Sequence, residues 1–466
     1  MEQDWALHGS QSLVPSKTYP AKLNRSTSIL PDAIGISAIA IVFLLWEMIF
    51  PSPGIVLLFG LVVMAYVNYW LGGRDVLYPA FTYTAIWALV AAAYCFCPIE
   101  IDRIGWKTIG IFLAGGASFS LGSLLGNRPL FRRRCTDGRE VDSTKIRDNP
   151  QARNVLLGCT LLITLLYIVV IVRMAGGISS FNLQFLLKLN LPDSPLENMD
   201  SFTSVIVVSS GLLTVLTLWV LLMEEKRKWP IVLCGICVVL YPLLITQRGL
   251  VMMAFCGSIT LLLLKSKDRS FLKTARPLGF AALSIVVVMA LMSLTKPWTQ
   301  GPSGYSATEG AWMYIAGPLA TFDYAVYHPE KFEDQPAAVF AQVLTPLSEL
   351  QLVHYRTWME VDGQKTDRFV FVPFPGNVYT AYKPYYEDFG TIGCIAAFAL
   401  FGFMEGRLFY CAIRGNSYAV FLLAYLSIAL MFSTFDDYYH SLSRHLNIMV
   451  FAIGYFWIMK RIRIRL

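Results

Sequence analysis

The chain has 466 residues, of which 56% are hydrophobic and 15% are charged, whereas about 25% of the residues of a soluble domain carry charge. This composition excludes an ordinary soluble enzyme, because a core of this size cannot bury so many apolar side chains and a bilayer must solvate the rest. The net charge of +7 does not indicate a nucleic-acid partner, since the basic residues lie between apolar runs rather than together. The sequence therefore predicts an all-α, polytopic membrane protein.

Apolar runs long enough to be spans recur along the whole chain, since a hydrocarbon core about 30 Å thick needs roughly 20 helical residues. We predict twelve spans, at 33–50, 54–70, 78–97, 105–126, 154–174, 202–223, 230–246, 249–264, 277–294, 388–406, 417–432 and 445–460. The chain then divides into an N-terminal segment 1–32, spans one to nine 33–294, a large loop 295–387 with amphipathic helices, spans ten to twelve 388–460, and a basic tail 461–466.

Lys and Arg residues predict the orientation of these spans. Most of the 38 basic residues fall on alternate connections, and the stretch from Arg128 to Arg153 is the richest of them. Because cytoplasmic loops keep an excess of Lys and Arg, we predict that both termini are cytoplasmic and that the large loop is extracytoplasmic.

Two arginines at the predicted outer ends of spans are candidates for substrate binding. Arg248 lies in the short joint Thr246-Gln-Arg-Gly249 between spans seven and eight, on the side where positive charge is disfavoured. A guanidinium group holds phosphate oxygens with two parallel hydrogen bonds, which suits the pyrophosphate of a lipid-linked substrate. A structural ion pair at Arg248 and a snorkelling side chain at Arg173 are the alternatives.

The large loop begins at Lys296 and carries a base candidate beside a cation in His354-Tyr-Arg356. An ordinary solvated histidine is the alternative there. The stretch 311–327 predicts an amphipathic or fully buried helix interrupted at Gly317-Pro318, which we expect to lie as a lid on the membrane.

The end of the loop combines aromatic and acidic residues, with Tyr379, Tyr386 and Asp388 just before span ten. Asp388 is suited either to capping that helix or to a substrate role beside tyrosines that stack on sugar rings.

A second group, Asp436-Asp-Tyr-Tyr-His440 followed by Arg444, lies between the last two spans and contains Tyr439. Acid, aromatic and cation together are typical of a carbohydrate and phosphate site. The outer face has neither an Asp-x-Asp pair nor a dense His or Cys cluster, so we predict no metal and no cofactor.

At these residues the sequence resembles the Wzy-type polymerases of O-antigen or oligosaccharide repeat units. The resemblance rests on Arg173 to Gly177, the Gln247-Arg-Gly249 joint, a large loop before the last three spans, and the block from Asn377-x-Tyr-Thr380 to Asp388-Phe-Gly-x-x-Gly393. It extends over nearly the whole chain at the level of architecture.

The resemblance implies a GT-C-like glycosyltransferase of the bacterial inner membrane with its active site facing the periplasm. Its substrates would be undecaprenyl-pyrophosphate-linked oligosaccharides, as donor and acceptor, and a co-polymerase would regulate chain length. Pyrophosphate would be held by basic residues, with tyrosines near the sugars, and one acidic or histidine side chain would be the base. We assign binding to Arg173, Arg248, Lys296, Arg356, Tyr379, Tyr386, Tyr439 and Arg444, and the base to Asp388, His440 or His354.

Two other functions remain open. An O-antigen ligase has the same lipid carrier and membrane architecture but transfers finished polymer. A lipid-linked oligosaccharide flippase or transporter would carry polar groups near the bilayer midplane, where we expect few beyond Glu47.

Overall fold

The computed structural model describes residues 53–128, 150–177, 212–223, 229–245, 248–265, 312–313, 315–331, 339, 370–372, 375–376, 379–435, 437–439 and 448–454, which all belong to one compact unit, Ser52–Leu466. The helices are α1 (Pro53–Leu71), α2 (Pro79–Cys95), α3 (Trp106–Gly126), α4 (Pro150–Met174), α5 (Leu212–Met223), α6 (Trp229–Ile245), α7 (Arg248–Lys265), α8 (Gly317–Tyr327), α9 (Lys383–Ala412) and α10 (Ser417–Phe432). A 3-10 turn, Pro329–Lys331, follows α8, and strands β1 (Val370–Phe371) and β2 (Pro375–Gly376) pair antiparallel before α9.

Helices α1, α3 and α9 and most of α4 are long and apolar enough to cross a membrane. Helices α2, α5 and α10 and the Ala254–Lys265 part of α7 are apolar but shorter. The described part of the chain is thus helical apart from one two-residue strand pair, which confirms the all-α class, and its apolar helices support a membrane protein. The count of twelve spans stays a prediction, because spans 33–50 and 277–294 lie outside the described residues.

Several helix ends agree with the predicted spans. Helix α10 occupies the predicted 417–432, and the Asn416 side chain caps its start by accepting from the Ala419 amide at 3.0 Å. Helix α9 begins at Lys383, five residues before the predicted start of span ten at 388. Pro384 stands in its first turn, where a missing amide hydrogen costs little.

Helices α3 and α9 pack with their backbones in contact. A Cβ atom at Gly402 would overlap the Phe119 carbonyl oxygen, and one at Gly406 would overlap that of Ser123. Gly122 makes the same approach to Ala399. The contacts advance in the same direction along both helices, so α3 and α9 are parallel, and the Gly-x-x-x-Gly pair serves packing within the chain.

Helix α9 folds back on itself at Gly390, whose φ of 62° and ψ of −156° interrupt the helix. The rings of Tyr385 and Phe401 are 5.6 Å apart, although sixteen residues of straight helix would separate them by about 24 Å. Gly393 allows the approach, since a Cβ atom there would meet the Tyr385 carbonyl oxygen. We call 379–389, which turns back into the bundle, the re-entrant segment.

Helix α8 packs into the bundle rather than lying on its surface. Leu319, Phe322 and Val326 are buried, and the Phe322 ring meets Phe112 of α3 at 5.3 Å. The chain turns at Ala316 just before α8, as the Gly317-Pro318 signal predicts. Of the two alternatives for this stretch, the buried helix is therefore correct, and its position as a lid on the membrane stays a prediction.

Candidate functional site

The inner side of the re-entrant segment is fixed by aromatic contacts. The Tyr382 ring stacks on Phe398 at 4.0 Å, and its hydroxyl lies 2.6 Å from the hydroxyl of Tyr83 in α2. Trp87 meets Tyr382 edge-on and donates from Nε1 to the Ser433 hydroxyl at 3.2 Å. Each buried hydroxyl or indole N–H in this group has a partner, so the segment is held by packing and by hydrogen bonds together.

The other side of the segment forms a polar group at the end of the bundle where α3 begins. We call it the loop-end cluster and define it as Lys107, Tyr379, Lys383, Tyr386 and Glu387. The Lys383 ammonium lies 4.0 Å from the centre of the Tyr379 ring, and the Lys107 ammonium lies 5.4 Å from that of Tyr386. These distances are those of cation–π contacts, which orient each ammonium group over an aromatic face.

Carboxylates accompany the lysines of this cluster. Glu387 Oε1 lies 3.4 Å from Lys383 Nζ, one helical turn away. The next residue, Asp388, accepts a hydrogen bond at Oδ2 from the Val339 amide at 2.8 Å. Helix α9 begins at Lys383 and is interrupted at Gly390, so Asp388 lies two residues before the break and connects the large loop to α9. The capping role and the substrate role considered for Asp388 both stay predictions.

Burial affects the proton equilibria at this end of the bundle. It raises the pKa of the Tyr379 hydroxyl, and the charges of Glu387 and Tyr324 raise that pKa further. Burial also raises the pKa of Asp323 in α8, although a hydrogen bond from the Gly105 amide at 2.7 Å opposes the shift. Tyr379 is therefore a hydrogen-bond donor at neutral pH.

Tyr439 lies inside the bundle, away from the loop-end cluster. Its ring stacks on Phe401 at 4.2 Å, and its hydroxyl donates to the carboxylate of Glu405. Asp437 accepts from the Tyr439 amide at 2.9 Å and from the Tyr385 hydroxyl at 2.7 Å. The 437–439 segment is thereby joined to both parts of α9, before and after Gly390.

The two arginine candidates lie on other helices. Arg173 is exposed in the last turn of α4, which packs against α5 and α6 and ends through Gly176 and Gly177 in left-handed conformations. Arg248 is the first residue of α7, the helix that packs against α10. The described contacts do not bring Arg173 to the loop-end cluster.

Of the predicted site residues, the structure thus places Tyr379 against Lys383 and Tyr386 against Lys107, with Asp388 two residues after Tyr386 in the chain. Five further candidates lie outside the described residues: Lys296, His354, Arg356, His440 and Arg444. Within the described ranges no group of three His, Cys, Asp or Glu residues is arranged to hold a metal ion.

Sequence reasoning missed Lys107 and Glu405. Lys107 is a single cation one residue into an apolar run, and only its position at a predicted outer helix end could have marked it. Glu405 is a single acid in a long apolar run, and this isolated charge is the one feature of the sequence that could have marked it as a candidate. The expectation of few midplane polar groups beyond Glu47 did not name Glu405, which is fully buried in α9.

The arrangement at the loop end can bind a substrate that is both saccharide and anion. Aromatic faces accept the apolar faces of sugar rings, ammonium groups bind phosphate oxygens, and a carboxylate accepts a proton. No protein-family model, curated protein or solved structure matches the chain.

Proposed function

We propose that the chain is a glycosyltransferase that polymerises undecaprenyl-pyrophosphate-linked oligosaccharide repeat units into O-antigen or a related surface polysaccharide. It acts at the periplasmic face of a bacterial inner membrane and releases undecaprenyl pyrophosphate. The observation that carries the proposal is the loop-end cluster, where tyrosines, lysines and a carboxylate are held together beside Asp388 within a membrane helix bundle. The block that resembles Wzy-type polymerases contains most of these residues.

In this reaction the acceptor hydroxyl oxygen attacks the anomeric carbon of the donor sugar, and the bond from that carbon to the pyrophosphate oxygen breaks. The hydroxyl proton passes to a base, for which Asp388 is the described candidate and His440 and His354 are the alternatives. The departing pyrophosphate needs cations, because negative charge accumulates on its oxygens as the bond breaks. Lys107 and Lys383 supply positive charge at the loop end.

Arg248 is the first residue of a different helix, α7. A guanidinium group suits a pyrophosphate because it holds phosphate oxygens with two parallel hydrogen bonds. On this chemistry and on the resemblance of the sequence, Arg248, with Arg173 and Arg444, is assigned to the pyrophosphate, without a metal or cofactor.

The test is a gel of surface glycan and extracted lipid-linked glycan from cells that lack the gene. Deletion is expected to collapse the ladder to single repeat units that still reach the surface acceptor. Wild type restores the ladder, whereas Arg248→Ala does not. Arg128→Ala is the matched control, because Arg128 is exposed just after the far end of α3 and should restore the ladder fully. Near-normal extension by Arg248→Ala, at equal expression, removes Arg248 from the site.

A second candidate function is a lipid-linked oligosaccharide flippase or transporter, which the buried Glu405 favours because transporters carry ionisable groups within the membrane. The same gel separates it, since cytoplasm-facing single units then accumulate and none reach the surface. A ligase gives a third pattern, in which long polymer remains on undecaprenyl pyrophosphate.

A further inference from the structure

Glu405 is a fully buried acidic residue in the second half of α9, next to the glycine that packs against Ser123 of α3. It lies fifteen residues after Gly390, about 22 Å along α9, and its side chain is 0% exposed. Apart from Glu387 and Asp388, which precede the break at Gly390, Glu405 is the only acidic residue in the apolar helices that the structure describes. An ionisable group that is fully buried in a bundle of apolar helices is costly, and a functional role is its default interpretation.

The contacts of Glu405 satisfy half of its carboxyl group. Oε1 receives the Tyr439 hydroxyl, while Oε2 is buried and has no hydrogen-bond partner in the described part of the chain. Phe401, stacked on Tyr439, and Phe409, one turn beyond Glu405, are apolar neighbours on the same helix. A carboxylate with one donor and one orphaned oxygen is not a stable buried arrangement.

The elements packed around Glu405 bring little positive charge to it. Arg407 is two positions along, a spacing that does not face Glu405, and its guanidinium lies 5.2 Å from the Tyr410 ring. The α3 residues against Gly402 and Gly406 are Phe119 and Ser123, which do not titrate. The titratable groups of the other packed elements are acids, phenols and thiols: Asp437, Tyr438 and Tyr439 in 437–439, Tyr418 and Tyr425 in α10, and Tyr78, Tyr83, Tyr94 and Cys95 in and next to α2.

We propose that Glu405 is a proton-binding site inside the helix bundle, loaded at neutral pH and able to exchange its proton. A bound proton neutralises the carboxyl group. The desolvation cost of a charged carboxylate then no longer has to be offset by the single hydrogen bond from Tyr439. A metal cation would bind Glu405 less well than a proton does. Ca²⁺ needs six to eight oxygen ligands, and the described surroundings offer one carboxylate and one phenol. Glu405 lies outside the loop-end cluster, and its binding of a proton does not require the polymerase chemistry proposed there.

Loss of the proton would act on the re-entrant segment through the 437–439 segment. A charged Glu405 binds the Tyr439 hydroxyl more strongly, and Asp437 connects Tyr439 to Tyr385. The protonation state inside the bundle is therefore coupled to the position of residues that carry the loop-end cluster.

The test is infrared difference spectroscopy of the full chain in lipid bilayers. At neutral pH, the difference spectrum of wild type minus Glu405→Gln is expected to contain the carbonyl stretch of a protonated carboxylic acid. Alkaline titration should replace this stretch with the carboxylate bands. Glu387→Gln, which removes the acid beside Lys383, is the matched control and should leave that stretch unchanged. Carboxylate bands at neutral pH in the wild-type minus Glu405→Gln spectrum would overturn the proposal.

A hydrophobic carbodiimide gives an independent readout. The acid adds its O–H across a C=N bond of the reagent, and acyl transfer from oxygen to nitrogen gives an N-acylurea, so the peptide containing Glu405 gains one whole reagent molecule. Labelling should fall about tenfold for each pH unit above the midpoint, because only the protonated acid reacts. Protection by Na⁺ at constant pH would contradict a proton site and indicate a cation site instead.

Discussion

Asp323 connects α8 to the start of α3 through its side chain. Its Oδ1 atom accepts the Gly105 amide hydrogen at 2.7 Å, so a carboxylate from the large loop sits at the positive end of a membrane helix. Burial dominates over this bond and raises the pKa of Asp323. The nearby charges oppose each other, since Asp102 raises that pKa and His328 lowers it.

This pKa shift predicts a pH dependence of stability. Folding favours the protonated carboxyl, so the contribution of Asp323 is fully present below the unfolded pKa of about 3.9 and is lost as the pH rises through the raised folded pKa. Thermal unfolding of the detergent-solubilised chain from about pH 4 to about pH 7 should therefore show wild type losing Tm relative to Asp323→Asn. The control is Glu330→Gln, which changes an exposed acid three residues after the end of α8. Parallel curves for wild type and Asp323→Asn would contradict the assignment.

At the scale of single residues, the sequence predicted the tyrosines of the loop-end cluster and the neighbouring Asp388, but neither lysine of the cluster. Tyr379, Tyr386 and Asp388 stand close in the chain, so local composition revealed them. Lys107 reaches Tyr386 from a different helix, and Tyr439 reaches Glu405 across 34 residues of sequence. Contacts between distant residues depend on how helices pack, which composition does not encode.

At the scale of elements, the α3–α9 interface depends on the absence of side chains at four glycines: Gly122, Gly126, Gly402 and Gly406. Each glycine faces backbone atoms of the other helix, and backbone atoms cannot move aside for an added Cβ by changing a rotamer. Van der Waals contact along the two helices holds them together in an environment without a hydrophobic driving force.

Gly406→Ala should accordingly destabilise the chain, by roughly 1–3 kcal/mol, because the new Cβ must push the Ser123 backbone away. The control is Gly110→Ala in α3, where a Cβ meets nothing within 4 Å and helix propensity should add about 0.5–1 kcal/mol. Unfolding of both variants in the same detergent is the measurement. Equal stability of the two variants would mean that the helices separate without cost.

Helix boundaries show which elements a sequence can predict. Helix α10 matches its predicted limits because apolar residues fill it from a polar cap at Asn416 to its last residue. Helix α9 was predicted to start late because Lys383, Glu387 and Asp388 are polar, and an apolar-run criterion assigns such residues to a loop. The fold-back at Gly390 was not foreseen, since a glycine within a helical pattern indicates several possible structures.

At the scale of the whole molecule, the parallel packing of α3 and α9 fits the predicted order of spans. These helices correspond to predicted spans four and ten, and an even step between two spans gives them the same direction. Helix α3 has 21 residues and is therefore about 31 Å long, the thickness of a hydrocarbon core. Its two ends belong on opposite faces of the membrane.

This geometry predicts the sidedness of two exposed positions. Glu330 follows α8, whose Tyr327 hydroxyl accepts from the Lys107 amide at the start of α3, whereas Arg128 follows the end of α3. In spheroplasts, a membrane-impermeant maleimide should label Glu330→Cys above the wild-type background and should label Arg128→Cys only after permeabilisation. Labelling of both from one side would contradict the span across α3, and reversed labelling would contradict the predicted orientation.

The pairing of α2 with the C-terminal quarter of the chain determines when the protein can finish assembling. The hydrogen-bond partner of Tyr83 is Tyr382, which is synthesised 299 residues later, and that of Trp87 is Ser433, which is synthesised 346 residues later. At 5–20 residues per second, the ribosome needs roughly 17–70 s to supply that last partner. Until then the Trp87 indole and the Tyr83 phenol of α2 lack these hydrogen-bond partners. A nascent chain that stops before residue 433 cannot form the bond from Trp87.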